Sequence, residues 1–199
     1  MRNILNIAIF ILSTGCFAQT INIIDKNGTR TTGAYYKDVD NLLNTFEGTY
    51  LYANGTDTLK IILIKKVNQY NGRYYEDLII GEYQYIKNGI EKINTLSEIN
   101  TSYSNQRIHN IAGNSLIKNT SRPVCNDCVV NEKRLRMGFT EPMCGLYGTM
   151  IVRKITQGGQ EAIKIKTRME GSATPYYEGS TPPPLDFTVP AGEYILIKG

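Results

Sequence analysis

Three cysteines in the body of the chain, Cys125, Cys128 and Cys144, and its single histidine, His109, are the side chains best suited to hold a metal or exchange electrons. Thiolates and an imidazole make a tetrahedral donor set, so His109 with Cys125, Cys128 and Cys144 would form a Cys₃His zinc site. A second closely spaced ligand pair is missing, and His109 lies in a polar stretch where a surface histidine is the plain alternative. The same Cys-x-x-Cys spacing serves dithiol oxidoreductases, but there a helix N-terminus lowers the thiolate pKa, whereas Val129-Val130 favours a strand. In an oxidising compartment a structural disulfide is the simplest outcome. Cys125 or Cys128 bridged to Cys144 would tie the loop after Pro123 to the next hairpin, and a Cys125 to Cys128 bridge is the third option. The expectation is a disulfide among these three, with no metal and no cofactor.

Other chemistry is harder to assemble. With one histidine, any Ser-His-Asp arrangement must use His109, and the Gly-x-Ser-x-Gly nucleophile pattern does not occur. Glu76-Asp77 is an acidic pair, yet neighbours on a strand point to opposite faces, so a solvated strand start is expected there. The pairs Tyr35-Tyr36, Tyr74-Tyr75 and Tyr176-Tyr177 offer rings with a polar tip, and one ring of each is expected in the core. Phosphate-loop and dinucleotide glycine patterns are missing. No catalytic or cofactor-binding residue is assigned, and an enzyme is the less favoured reading.

The amino terminus sets the compartment. Arg2 precedes an apolar run at 4–12, and small residues lead into Ala18-Gln19, the order of a secretory signal peptide. Cleavage after Ala18 leaves one domain, 19–199, in the periplasm or secreted. The competing reading is lipidation of Cys16, since Leu12-Ser13-Thr14-Gly15-Cys16 resembles a bacterial lipobox with Ser13 where Leu is usual. The apolar run is shorter than the ~20 residues a spanning helix needs, and later runs are broken by Lys, Glu or Asn, so no transmembrane span is expected.

Composition and pattern then set the fold. The formal charge of +4 is spread along the sequence, which argues against nucleic acid as a partner. Tyr is frequent at 14 residues and Trp is absent, while Ile, Thr and Tyr crowd the middle of the chain, a composition suited to pleated, half-buried surfaces. A two-turn helix is expected at 38–44, capped by Asp38, with Val39, Leu42 and Leu43 on one side. Strands are expected at 49–53, 58–67, 78–86 and 90–96, separated by Asn54-Gly55, Asn71-Gly72 and Asn88-Gly89, pairs that favour hairpins. Leu135, Met137 and Phe139 alternate with polar residues, as do Ile163, Ile165 and Met169, and a hairpin strand at 146–155 ends at Gln157-Gly158-Gly159. Pro182-Pro183-Pro184 reads as a stiff connection, and 193–198 as the last strand. The expected fold is all-β, an antiparallel meander of about eight to ten strands closing into a lipocalin-like barrel, with a β-sandwich as the alternative.

Three stretches resemble a known family: Phe46-Glu47-Gly48-Thr49-Tyr50, the block at 70–83, and Val189-Pro190-Ala191-Gly192-Glu193-Tyr194-Ile195-Leu196. They are similar to the domain-of-unknown-function family DUF6705, uncharacterised exported proteins of flavobacterial type, and the likeness runs through nearly the whole mature chain. That resemblance implies export and no assigned catalytic or binding residue. A second likeness is to lipocalin-type barrels, where a short helix leads into a strand bearing Gly-x-Trp; here Gly48-Thr49-Tyr50 has Tyr50 in place of the Trp. Two function classes follow. One is a non-enzymatic envelope protein holding a small apolar ligand in its barrel or binding a protein partner. The other is a secreted enzyme or metal or redox protein built on His109 and the cysteines.

Overall fold

The computed structural model describes residues 19–25, 29–142, 145–172 and 187–199. Ala18, Cys16, Cys144, the pair Tyr176-Tyr177 and the run 182–184 lie outside the described residues, and so do the expectations placed on them.

The strands are β1 (Thr20–Asn22), β2 (Tyr35–Lys37), β3 (Gly48–Asn54), β4 (Asp57–Tyr70), β5 (Tyr75–Lys87), β6 (Ile90–Asn94), β7 (Ile111–Lys118), β8 (Lys133–Thr140), β9 (Leu146–Gln157), β10 (Gln160–Ser172) and β11 (Gly192–Lys198). Eight of them, β3, β4, β5, β7, β8, β9, β10 and β11, pair antiparallel in chain order, and β11 returns to β3 to close a barrel. Closure leaves the ring without a free edge, the usual cure for a long antiparallel meander. The side of β5 away from β4 is divided among three partners: β2 runs parallel to its start, β7 meets Ile79 to Gly81, and β6 covers its end.

Period-two burial fills the inside. Leu59, Ile61 and Leu63 of β4, Ile79, Tyr83 and Tyr85 of β5, Leu135, Met137 and Phe139 of β8, and Ile163 and Ile165 of β10 belong to one core cluster, each at most 3% exposed. Register makes them meet, with Ile61 opposite Tyr83 and Leu135 opposite Val152. Each such side chain contributes roughly 1.5–3 kcal/mol by leaving water. Tyr83, Phe139 and Phe187 stack through the interior with ring centroids 5.0 Å apart at each step. The space expected to hold a small apolar ligand is therefore occupied by the protein's own side chains.

Local departures from the sequence reading have visible causes. The expected helix at 38–44 is a single 3₁₀ turn, Leu43–Phe46, because Asn41 takes a positive φ of 53° and breaks the run. The Asp38 carboxylate still serves that turn, accepting Leu42 N–H and Leu43 N–H at 2.9 Å each, and it also receives Lys65 Nζ at 2.8 Å. Of the three Asn-Gly pairs, Asn88-Gly89 forms the expected two-residue turn, with both φ angles positive at 53° and 73°. Asn54 instead pairs with Asp57 as the last strand residue, and residues 71–74 form a longer loop. Strand β7 was not expected, since a bulge between Ala112 and Ser115 breaks its alternation.

Segment 95–110 straps the outer wall of β5. Four outward residues of that strand find partners in it: Glu76 meets Arg107, Leu78 and Ile80 pack with Ile99, and Glu82 meets His109 and Asn110.

Candidate functional site

The sequence-derived candidates separate into two places. His109 is not a surface residue: it is 2% exposed, its Nδ1 lies 2.7 Å from Glu82 Oε1, and its ring sits edge-on to Tyr103. Its Nε2 is buried with no hydrogen-bond partner among the described residues. The cysteines lie elsewhere. Cys125 and Cys128 are bridged to each other, with Cα atoms 5.4 Å apart, within the usual span of a disulfide. The bridge between the two described cysteines is thus the local one, and Cys144 lies outside the described residues. Among the described residues, the group with metal-ligand spacing is Cys125, Asp127 and Cys128, and His109 is not part of it. With both sulfurs in a disulfide, that group offers no thiolate.

Glu76 and Asp77 also differ from expectation. They do face opposite ways, but both are buried rather than solvated. Glu76 receives a two-pronged pair from Arg107 at 2.5 and 2.7 Å, which outweighs burial and raises the Arg107 pKa. Asp77 accepts Tyr35 Oη at 2.6 Å, Asn68 N–H at 2.9 Å and Asp38 N–H at 2.9 Å, tying β2 to the barrel. These carboxylates are saturated by structural partners and have the form of supports, not of an acid/base pair.

What the sequence did not disclose is a basic cleft on the outer wall of β8, β9 and β10. Because Leu135, Met137, Val152 and Ile165 point inward, the intervening residues point out, and register lines them up in rows. Arg136, Ile151 and Lys166 stand side by side in one row; Gly138, Thr149 and Arg168 form the next. Charges scattered in the sequence thereby become neighbours. The loop between β7 and β8 forms the opposite wall. Arg134 holds it by donating to the carbonyls of Pro123 (2.8 Å), Lys118 (2.9 Å) and Ser121 (2.9 Å), and Arg136 donates to the carbonyl of Arg122. Arg153 pins the far side of the loop through Asp127 Oδ2 at 2.7 Å, the Asp127 carbonyl at 2.8 Å and Glu132 Oε1 at 2.6 Å.

Two adjoining portions of the cleft enclose about 280 and about 650 Å³, and Pro123, Ile151 and Lys166 border both. Arg122, Arg136, Lys166 and Arg168 border the larger portion against a single carboxylate, Glu170, which accepts Thr149 Oγ1 at 2.5 Å. Lys164 and Lys166 share Glu193 at 3.0 and 3.1 Å, and that carboxyl titrates below its ordinary value because of them. Arg122, Arg136 and Arg168 have no carboxylate partner among the described residues. Burial, and then the nearby charge of Arg136, lower the pKa of Arg134 from its ordinary value.

Fold and site together define an up-and-down β-barrel with a filled interior, a strapped outer wall and a cationic cleft carried on three adjacent strands. The model of the family of unknown function DUF6705 matches residues 1–199, and the chain belongs to that family. No curated protein and no solved structure matches the chain.

Proposed function

We propose that this chain is an exported, non-enzymatic binding protein, and that its outer cleft engages a partner protein through an extended acidic segment. The observation that carries this reading is the trio Arg122, Arg136 and Arg168: three guanidinium groups without carboxylate partners among the described residues, set around an apolar floor of Ile151 and Pro123. Cations left uncompensated side by side attract anions, and planar guanidinium forks fit carboxylates two bonds at a time. An apolar floor beneath them favours a segment that carries oily side chains between its acids. Export is supported by the amino-terminal pattern of residues 1–18 and by a disulfide, a bond that persists in oxidising compartments.

The test is fluorescence anisotropy with a labelled peptide alternating Glu and Val, using the mature chain and its Arg136→Ser/Arg168→Ser variant. Saturable, salt-sensitive binding that weakens at least about tenfold in the variant is expected. Absence of saturation, an unaffected variant, or tighter binding of a DNA oligonucleotide or of anionic vesicles would remove the reading.

A further inference from the structure

We infer that the Cys125 to Cys128 disulfide is a thiol-exchange site that sets the shape of the cleft wall, an inference that rests on the cleft being the binding surface. A bridge across a sequence separation of three closes a very small loop, and loop-closure stabilisation is least for the smallest loops. It joins no two elements of the barrel, so its effect is confined to its own segment. Both cysteines are partly exposed, and Cys125 borders the cleft with Val124 and Asn126. An attacking thiolate therefore has access that a core disulfide denies.

The anchoring of the loop explains why exchange would be local. Arg134 and Arg136 hold 118–123, and Arg153 holds Asp127 and Glu132. Between these pins, residues 124–126 are held by the disulfide and by the Cys125 N–H bond to the Asn119 carbonyl at 3.0 Å. Opening the bridge frees that stretch of wall while the arginine pins keep the remainder in place. The reductant is a dithiol. Its first thiolate attacks one cysteine sulfur, the Sγ–Sγ bond breaks, and the other sulfur leaves as a thiolate and takes a proton. The second thiol of the donor then resolves the mixed disulfide, so the chain gains two thiols and the donor ends as a disulfide. In the reduced chain Asp127 Oδ1, 3.3 Å from Cys125 Sγ, accepts the Cys125 S–H.

Three readouts on the full mature chain test this. Dithiothreitol without denaturant, followed by maleimide and mass measurement, should add two labels above the oxidised baseline. Hydrogen exchange should then quicken at 124–126 and stay unchanged at 118–123 and in β8 to β10. Affinity for the Glu/Val peptide should fall about fivefold or more, and the Cys125→Ser/Cys128→Ser variant should behave as the reduced chain does. A bridge that resists dithiothreitol until the chain unfolds overturns the inference, as does reduction that leaves both loop exchange and affinity unchanged. If the oxidised chain fails to bind the peptide, the binding proposal falls, and labelling with hydrogen exchange still decides the thiol exchange.

Discussion

Glu82 Oε1 lies 2.7 Å from His109 Nδ1 on the outer wall of the barrel, and neither side chain is reached by solvent. The other oxygen of Glu82 accepts Asn110 Nδ2 at 2.7 Å, so one carboxylate fastens the end of the 95–110 strap. Replacing Glu82 by Ala strands two buried polar groups at once and should cost roughly 3 kcal/mol of stability. Urea unfolding of the two proteins measures it. A loss indistinguishable from that of an exposed-site variant such as Lys92→Ala would show that the strap is not fastened there.

The loop wall has its own pH signature. The hydrogen bond from Arg153, ahead of other causes, holds the Asp127 carboxyl below its ordinary value of 3.8. A carboxylate depressed in the folded state keeps its partner at neutral pH and loses it as pH falls below about 3.8 through the folded pKa. Carboxyl-detected NMR should therefore find Asp127 titrating below 3.8 and moving back toward it in Arg153→Gln. Equal titration in both chains would mean that the pin does not form in solution.

At the alkaline end, burial raises the Tyr50 hydroxyl to about 12 from 10.0, with Glu161 and Glu47 adding to the shift. An unfolded chain gives up that proton near 10.0, so the buried phenol favours the fold in full below that pH and progressively less as pH rises toward about 12. The hydroxyl donates to the carbonyls of Phe46 and Glu47, so the favoured form is the neutral one. Ultraviolet titration of Tyr50→Phe should lack one late-titrating phenol relative to wild type. Loss of a phenol that titrates near 10.0 instead would place Tyr50 in water.

The filled interior can be probed by emptying it. Phe139, 1% exposed and stacked between Tyr83 and Phe187, should cost roughly 4 kcal/mol when cut to Ala. The cavity so made should admit an apolar fluorescent dye that wild type excludes. Stoichiometric dye uptake by wild type, displaced from the interior, would restore the barrel as a ligand chamber.

The barrel was legible in the sequence because its core obeys period two wherever strands run unbroken: Leu135, Met137 and Phe139 announce β8 unaided. Strand β7 was hidden because its bulge at Gly113-Asn114 shifts the period. The cleft was illegible for a different reason. Arg136, Lys166 and Arg168 become neighbours only through the register of β8 to β10, and register depends on turns whose geometry a single sequence does not determine. His109 was misplaced because its polar surroundings in sequence, Arg107 and Asn110, are themselves drawn inward by Glu76 and Glu82. The spread of charge along the chain concealed a patch that exists only in three dimensions.

The most direct test of the cleft as the working surface is amide chemical-shift mapping of the isotope-labelled mature chain during titration with the Glu/Val peptide. Saturating shifts gathered at Arg122, Arg136, Ile151, Lys166 and Arg168 are the expected result. Shifts gathered instead on β6 or around Tyr52 and Tyr85, or none at all, would contradict it.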